Sequence, residues 1–517
     1  MAFANLLSSV TPFHGLVLLI FLGLYVVQLV VRRLYFSPIS HIPGPKLAAA
    51  TWWYEFYYDI VLGGQYTFKI LELHKKYGPV IRINPDEVHV GDPDFYPELY
   101  TGPGRRREKT KFFVKQFGAD ESGLATIDHD HHKLRRAAIN PFFSTQSVRK
   151  LQPVIEERVD ALLNRLLEYS KTSSKPLDLM YPFSAFTNVE DPTFGKEVTD
   201  NLLQGTHYGK WIQHIEIILK FINALPEFVS ENCVPGWSGF LKMKRDILQQ
   251  IAEIKATEHT EKWQLDVSHP TIFHEMLSSK LLPDREKTLT RLAQDGQILV
   301  QGGTLTTSWT LAIATFHLLN DPASLRKLRD ELFTAIPDSH DIVPLGTLEA
   351  LPFLRGVVKE SLRLGFGTSG RLARVAPDED MHYTDPETGK KWTIPKGNPV
   401  SMTTYKTVTT EAIYYDPFGF HPERWLGDGE QRLEKYFTVF GGGTRVCQGM
   451  PLAQSELFLG LAKMFRVWGS ETDRRPGDVG VIKTFETTVR DCEMAHDYFI
   501  PIPWHGTKGI RAVFESS

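Results

Sequence analysis

Three cysteines in 517 residues (Cys233, Cys447 and Cys492) are too few for a disulfide framework, and a reducing compartment suits them. No Asn-x-Ser/Thr acceptor occurs, which fits a main body kept in the cytosol. There is no Gly/Ser-rich linker, low-complexity tract or fixed-period repeat, so nothing splits the chain into several domains. Charge is nearly balanced, at net −3, with no basic block, and offers nothing to a nucleic acid. The first fourteen residues hold neither Lys nor Arg.

What is present begins with an apolar run, Gly15 to Val31, in which Gln28 is the one strongly polar residue. At 1.5 Å per residue it covers roughly 25 Å, the short end of a membrane span. A cleaved signal peptide is the competing reading, but the basic start and small-residue cleavage site are missing. Arg32 and Arg33 follow at once and put the rest of the chain in the cytosol. The expected organisation is a short lumenal segment (1–14), an anchor (15–31), a basic and proline-rich hinge (32–46) containing Ile42-Pro43-Gly44-Pro45, and one body (47–517). A 42% hydrophobic fraction gives that body an ample core.

Along the body, Val80–Ile83 and Glu87–Val90 around Asn84-Pro85-Asp86 read as a β-hairpin. Helical periodicity then dominates, over Val148–Tyr169, Gly239–Thr260, Lys287–Leu319, Pro322–Ala335 and Leu354–Leu364. Short strands are predicted at Arg371–Val375, Trp392–Ile394, Val400–Met402, Ile482–Val489 and Tyr498–Ile502. The pattern is that of a mainly helical protein with small sheets at its edges.

One segment carries chemistry: Phe440-Gly441-Gly442-Gly443-Thr444-Arg445-Val446-Cys447-Gln448-Gly449. Glycines let backbone amides crowd a sulfur without Cβ clashes, and those amides with the following helix start favour a thiolate. Such a thiolate can bind haem iron and promote O–O cleavage, with Phe440 shielding the sulfur and Arg445 meeting a propionate. Taken bare, the decamer also fits a glycine turn with a buried structural cysteine. A phosphate loop is disfavoured, since no Lys-Ser/Thr pair follows. Glu360 and Arg363 share a helix face, which alone would be an ordinary ion pair.

The decamer resembles the haem-binding signature of the cytochrome P450 superfamily, Phe-x-x-Gly-x-Arg-x-Cys-x-Gly, at all five fixed positions. Glu360-Ser361-Leu362-Arg363, 87 residues before Cys447, and Pro422-Glu423-Arg424 resemble that family's other markers in order and spacing. The resemblance runs from Pro43 to about Arg511 and implies the triangular helical P450 fold with haem b. It implies Cys447 as axial ligand to the haem iron, and Arg136, Arg374, Arg445 and His132, which stands where a Trp is usual, as propionate partners. Phe440 and Gly449 complete the loop, and Glu360, Arg363 and Arg424 form a buried network that locks it. Asp128-His129-Asp130-His131-His132 is read as part of this haem side rather than a separate metal site.

Gly302-Gly303-Thr304-Leu305-Thr306-Thr307 resembles the family's oxygen-handling stretch except that Leu305 replaces the acid. Gly302 and Gly303 would open the helix for O₂, and Thr306 would guide a proton to O–O scission, while the usual carboxylate relay is missing. By the same resemblance Phe112, Phe113, Leu299, Gly302, Phe366, Gly367, Thr368 and Phe485 line the substrate pocket, unless they are ordinary core. Lys133 and Arg135 are expected on the surface, meeting an acidic electron donor or plain solvent. Trp211–Val229 dips into the bilayer or packs on the body. Asn140–Ser144 and Asp497–Pro501 look like the fungal branch that includes trichodiene oxygenase.

The function implied is a membrane-anchored haem-thiolate monooxygenase of the endoplasmic reticulum. NADPH-cytochrome P450 reductase would serve it, and it would oxidise a lipophilic secondary metabolite, a terpenoid first and a polyketide-type scaffold next. Two other readings stay open here: an isomerase or dehydratase needing no external electrons, motivated by Leu305, and a non-catalytic haem carrier or sensor.

Overall fold

The apolar run is helical from Pro12 to Tyr35 (α1), and its middle residues face outward without protein partners. In this computed structural model the described residues are 12–188, 196–234, 237–256 and 271–517. Most of the expected lumenal segment therefore lies outside the described residues. The Phe13–Tyr35 stretch is long and apolar enough to cross a membrane, by length and composition. The helix continues through Arg32 and Arg33, past the boundary expected at Val31.

The principal helices that follow are α2 (His129–Ile139), α3 (Gln152–Thr172), α4 (Met180–Asn188), α5 (Lys196–His214), α6 (Trp237–Ala256), α7 (Leu289–Asn320), α8 (Pro352–Leu364) and α9 (Met450–Val467). Helix α7 is the central one: Thr288 caps it by accepting from the Arg291 amide, and nearly every residue from Thr304 to Leu318 is buried. A helix apolar all round belongs in a core, and α4, α6, α8 and α9 pack on it. Leu305, Leu311 and Phe316 of α7 join Val159 and Leu166 of α3, Val357 and Leu362 of α8, and Leu457 and Leu461 of α9 in the main core.

Strands occupy the periphery. β1 (Val80–Arg82) and β2 (Val88–Val90) form the expected antiparallel hairpin. A second small sheet has β3 (Leu177–Asp178) at its edge; β4 (Arg374–Val375) belongs with β1 and β2, while β5 (Met381–Thr384) and β6 (Lys391–Ile394) pair separately. β7 (Pro399–Ser401) runs parallel to β2 and antiparallel to β4, completing the order β1-β2-β7-β4. β8 (Trp468–Gly469), β9 (Gly480–Thr484), the β10–β11 hairpin (His496–Tyr498, Ile500–Ile502) and β12 (Arg511–Ser516) close the chain, with order β3-β12-β9-β8. The strand expected over Tyr498–Ile502 is broken at Phe499, which takes φ 74°. Buried Asp497 holds that kink by accepting from the Phe499 amide and the Ser369 hydroxyl, each at 2.9 Å.

The Pro-Gly-Pro segment is pinned to β1. The Arg82 amide donates to Pro43 O at 2.7 Å, and a Cβ on Gly44 would collide with the Arg82 carbonyl. The guanidinium of Arg82 reaches Arg33 O at 2.9 Å, and that of Arg33 reaches Ala50 O at 2.9 Å. The end of α1 is thereby tied to the body.

Candidate active site

Cys447 follows a single 3₁₀ turn, Gly443–Arg445, and precedes α9. Gly441 and Gly443 take φ 73° and 65°, and a Cβ on Gly443 would collide with the carbonyls of Tyr100 and Thr101. The Cys447 amide donates to Phe440 O at 2.7 Å, which closes the loop. Its thiol faces a cavity of about 1760 Å³ that reaches α7 and the Tyr498–Ile500 hairpin. The residue is exposed only to that cavity, which is why burial raises its pKa although it counts as accessible. The Gly449 amide, the Arg136 guanidinium and the Met450 amide pull the other way and favour thiolate.

Among the basic side chains lining this cavity are Lys109, His132, Arg136, Arg374 and Arg445. None of them forms an ion pair with an acidic side chain among the described residues. Arg445 donates to Thr126 O at 2.7 Å and Ile127 O at 2.9 Å; Arg136 donates to Val446 O at 2.7 Å. Arg374 lies over the Tyr100 ring at 5.3 Å, and the Lys109 ammonium reaches Leu124 O. Burial, reinforced by the neighbouring cations, lowers Arg445 to about 9, His132 to about 2 and Lys109 far below its usual range. Such a cluster is costly unless an anion joins it. A dianion with a flat apolar body, placed against Cys447, satisfies it. Open space where Cβ atoms would stand on Gly302, Gly303 and Gly449 leaves room for that body. The residues present therefore fit haem.

Behind the loop, Glu360 and Arg363 are fully buried and paired through two bonds of 2.8 and 2.9 Å. Arg424 Nε adds a third contact to Glu360 at 3.0 Å, and the Trp425 indole a fourth at 2.9 Å. Arg363 also donates to Val408 O and Gly419 O. Burial opposes the Glu360 charge, yet Arg363 and Arg424 outweigh it and hold the carboxyl below its usual range.

On α7, Thr306 borders the cavity and its hydroxyl donates to Gly302 O at 2.6 Å. Leu305 is only 4% exposed and belongs to the main core, so no charge replaces the missing acid at its position. Phe113, Leu299, Gly302, Gly367 and Thr368 line the cavity, and Phe440 stands beside Cys447. Phe112, Phe366 and Phe485 do not. Phe112 packs between Trp52 and His214 at 4.8 and 5.3 Å, walling a smaller cavity. Phe366, at φ 57°, turns into the core against Tyr405, and Phe485 lies on the surface under Arg511. Phe499 and Tyr498, displaced inward by the kink, line the cavity instead. Arg135, expected on the surface, is buried and paired with Glu286 at 2.8 Å, while Lys133 is exposed.

Sequence reasoning passed over Lys109, Phe117, Phe499 and Glu456, all on the cavity wall. Only Glu456 had a local signal, as the one acid in the apolar helix α9.

A thiol at a glycine loop, a set of basic side chains without acidic partners, and free space beside Gly302 and Gly303 on the unbroken central helix together define a haem-thiolate oxygenase. The family model described as Cytochrome P450 matches residues 45–478, and the chain belongs to this family as a cytochrome P450 monooxygenase with a haem-thiolate cofactor. It is 43% identical over 501 residues to the cytochrome P450 monooxygenase tpcC of Cochliobolus heterostrophus, covering 94% of each chain. It is 35% identical to the tryptophan 6-hydroxylase fscE of Fusarium equiseti, covering 99% of each. It is also 35% identical to the cytochrome P450 monooxygenase TRI4 of Fusarium sporotrichioides, covering 91% of this chain and 89% of that one. TRI4 is one distant relative among several, so the branch expected from Asn140–Ser144 and Asp497–Pro501 is not singled out. Such enzymes work with a reductase and small-molecule substrates, and the apolar N-terminal helix is in keeping with an anchored member.

Proposed function

We propose that this protein oxidises a lipophilic fungal secondary-metabolite intermediate, with Cys447 as the haem iron ligand. The observation that carries this reading is the set of basic side chains without acidic partners, three of them arginines, facing one cavity with Cys447. Arg136, Arg374, Arg445 and His132 hold the propionates, and Lys109 joins them. Glu360, Arg363 and Arg424 fix the loop from behind. Haem, when bound, supplies activation of O₂ with electrons passed on from NADPH by its reductase. Gly302 and Gly303 would leave space beside it, and Thr306 would guide a proton there once its hydroxyl turns from Gly302 O. Phe113, Leu299 and Thr368 exclude water and orient substrate.

A terpenoid is the first substrate class to test and a polyketide-type scaffold the next; the tryptophan 6-hydroxylase among the relatives adds aromatic amino acids. Trp211, Ile217, Phe221, Phe228 and Trp53 are exposed, and Phe56 packs against both Trp53 and Trp211. Contact between Phe56 and Trp211 joins the two segments, which suits a surface resting in the membrane of the endoplasmic reticulum. The test compares metabolites of the source organism with and without the gene, by high-resolution mass spectrometry. An accumulating precursor one oxygen lighter than the lost product, or two hydrogens heavier, supports the reading. A precursor of identical mass would replace it with rearrangement, and an unchanged profile would remove it.

A further inference from the structure

The smaller cavity walled by Phe112 measures about 20 Å³ and adjoins the large one. Phe113 and Phe499, with rings 6.0 Å apart, border both. Lys210 and Gln213, one turn apart on α5, line the small chamber together with Glu87 and Arg371. The buried Lys210 ammonium has three hydrogens to place. Among the described residues it meets one acceptor, Asp59 Oδ2, at 3.4 Å. Burial works against its charge, yet Asp59 and Asp497 outweigh it and the group stays an ammonium. Gln213 is buried too, and its Oε1 has no hydrogen-bond partner among the described residues. A spare donor and a spare acceptor thus share one enclosed chamber, where leaving either unpaired is costly.

Ions do not suit the site. Arg371 is paired with Glu87 at 2.8 Å and with Glu55, and Lys210 is paired with Asp59, so no lone cation awaits an anion. Glu55, Asp59 and His214 bring ligand-type atoms within 4.8 Å of one another, but Arg371 and Lys210 already hold the two carboxylates against a metal. A carbonyl oxygen can accept from Lys210 but has no hydrogen to give Gln213. A hydroxyl does both. The volume suits one such oxygen, since a water needs roughly 10–15 Å³ and two or more polar partners.

We propose that this chamber binds one neutral hydroxyl-type oxygen, which accepts from the Lys210 ammonium and donates to Gln213 Oε1. Water is one source; an alcohol group of the substrate, reaching past Phe113 and Phe499, is the other. Water serves whatever the enzyme oxidises, whereas the second source rests on the monooxygenase reading above.

The test is a pair of crystal structures of the full-length holoenzyme in lipid, alone and with the precursor isolated from the gene-deleted strain. Each should show one oxygen within hydrogen-bond reach of both Lys210 Nζ and Gln213 Oε1. Water in both crystals supports the proposal as an internal hydration site. Replacement by the precursor's hydroxyl supports it as a substrate subsite, and a deoxy analogue should then bind about a hundredfold more weakly. Gln213→Met should lose the oxygen and lower the folding equilibrium constant about tenfold in chemical denaturation. Gln213→Glu, which keeps an acceptor there, should retain both. A chamber without that oxygen, a Gln213 amide turned onto a protein partner, or wild-type stability in Gln213→Met overturns the proposal. A wild-type protein without the carbon monoxide spectrum of a thiolate-bound haem overturns the monooxygenase reading instead, and leaves the hydration site standing.

Discussion

Glu360 and Arg363, one turn apart on α8, form a two-bonded ion pair from which solvent is wholly excluded. Arg424, the Trp425 indole and the His421 amide donate to the same carboxylate. Removing the acid strands two buried guanidinium groups. Glu360→Ala should therefore cost about 3–5 kcal/mol and abolish haem incorporation, read as loss of the carbon monoxide spectrum. Glu360 has its pKa lowered in the fold, so its contribution is complete above the unfolded value and fades as pH falls through the folded one. Acid unfolding of the Glu360→Gln variant should lack this component.

Lys109 presents the opposite case. Its charge is disfavoured in the haem-free fold by burial and by Arg445, Arg374 and Arg136. Lys109→Met should raise the unfolding temperature of haem-free protein yet weaken haem retention about tenfold, or ~1.4 kcal/mol. Calorimetry without haem and haem transfer to an acceptor globin measure the two halves.

His132 adds a pH dependence of the same origin. Its pKa falls to about 2 in the fold, so the unfolded chain binds the proton first. Haem-free protein should lose stability as pH drops below the ordinary histidine value, down toward 2. Holoprotein, with propionates in place, should lose less, as chemical denaturation at stepped pH would record.

Leu305→Glu restores the usual residue type but sets a carboxylate into the main core. It should destabilise by about 2–5 kcal/mol and lower rather than raise NADPH coupling. Better coupling with intact stability would contradict the placement of this side chain.

The start of the body and α5 are joined by Asp59, which meets Lys210 at 3.4 Å and His214 at 3.2 Å, all enclosed. Lys210 and His214 outweigh burial and hold Asp59 at about 2. Lys210→Met should cost about 3–5 kcal/mol, read as a lower unfolding midpoint in chemical denaturation.

Short-range motifs made the cysteine loop and the Glu360–Arg363 pair legible, because each is set by a few neighbouring residues. Helix α7 was legible for another reason, its long apolar periodicity. Pocket membership was not, since it depends on which way a backbone turns. Phe366 leaves the cavity and Phe499 joins it through left-handed residues that no periodicity announces. Lys109 carries no motif at all; burial opposite distant chain segments gives it its character. β12 escaped notice because its partner β9 is set by tertiary pairing.

The link from Arg33 to Ala50 and from Arg82 to Arg33 makes the junction after α1 a bracket rather than a leash. A body so mounted cannot swivel freely about its stem, and whatever holds α1 would also set the orientation of the body.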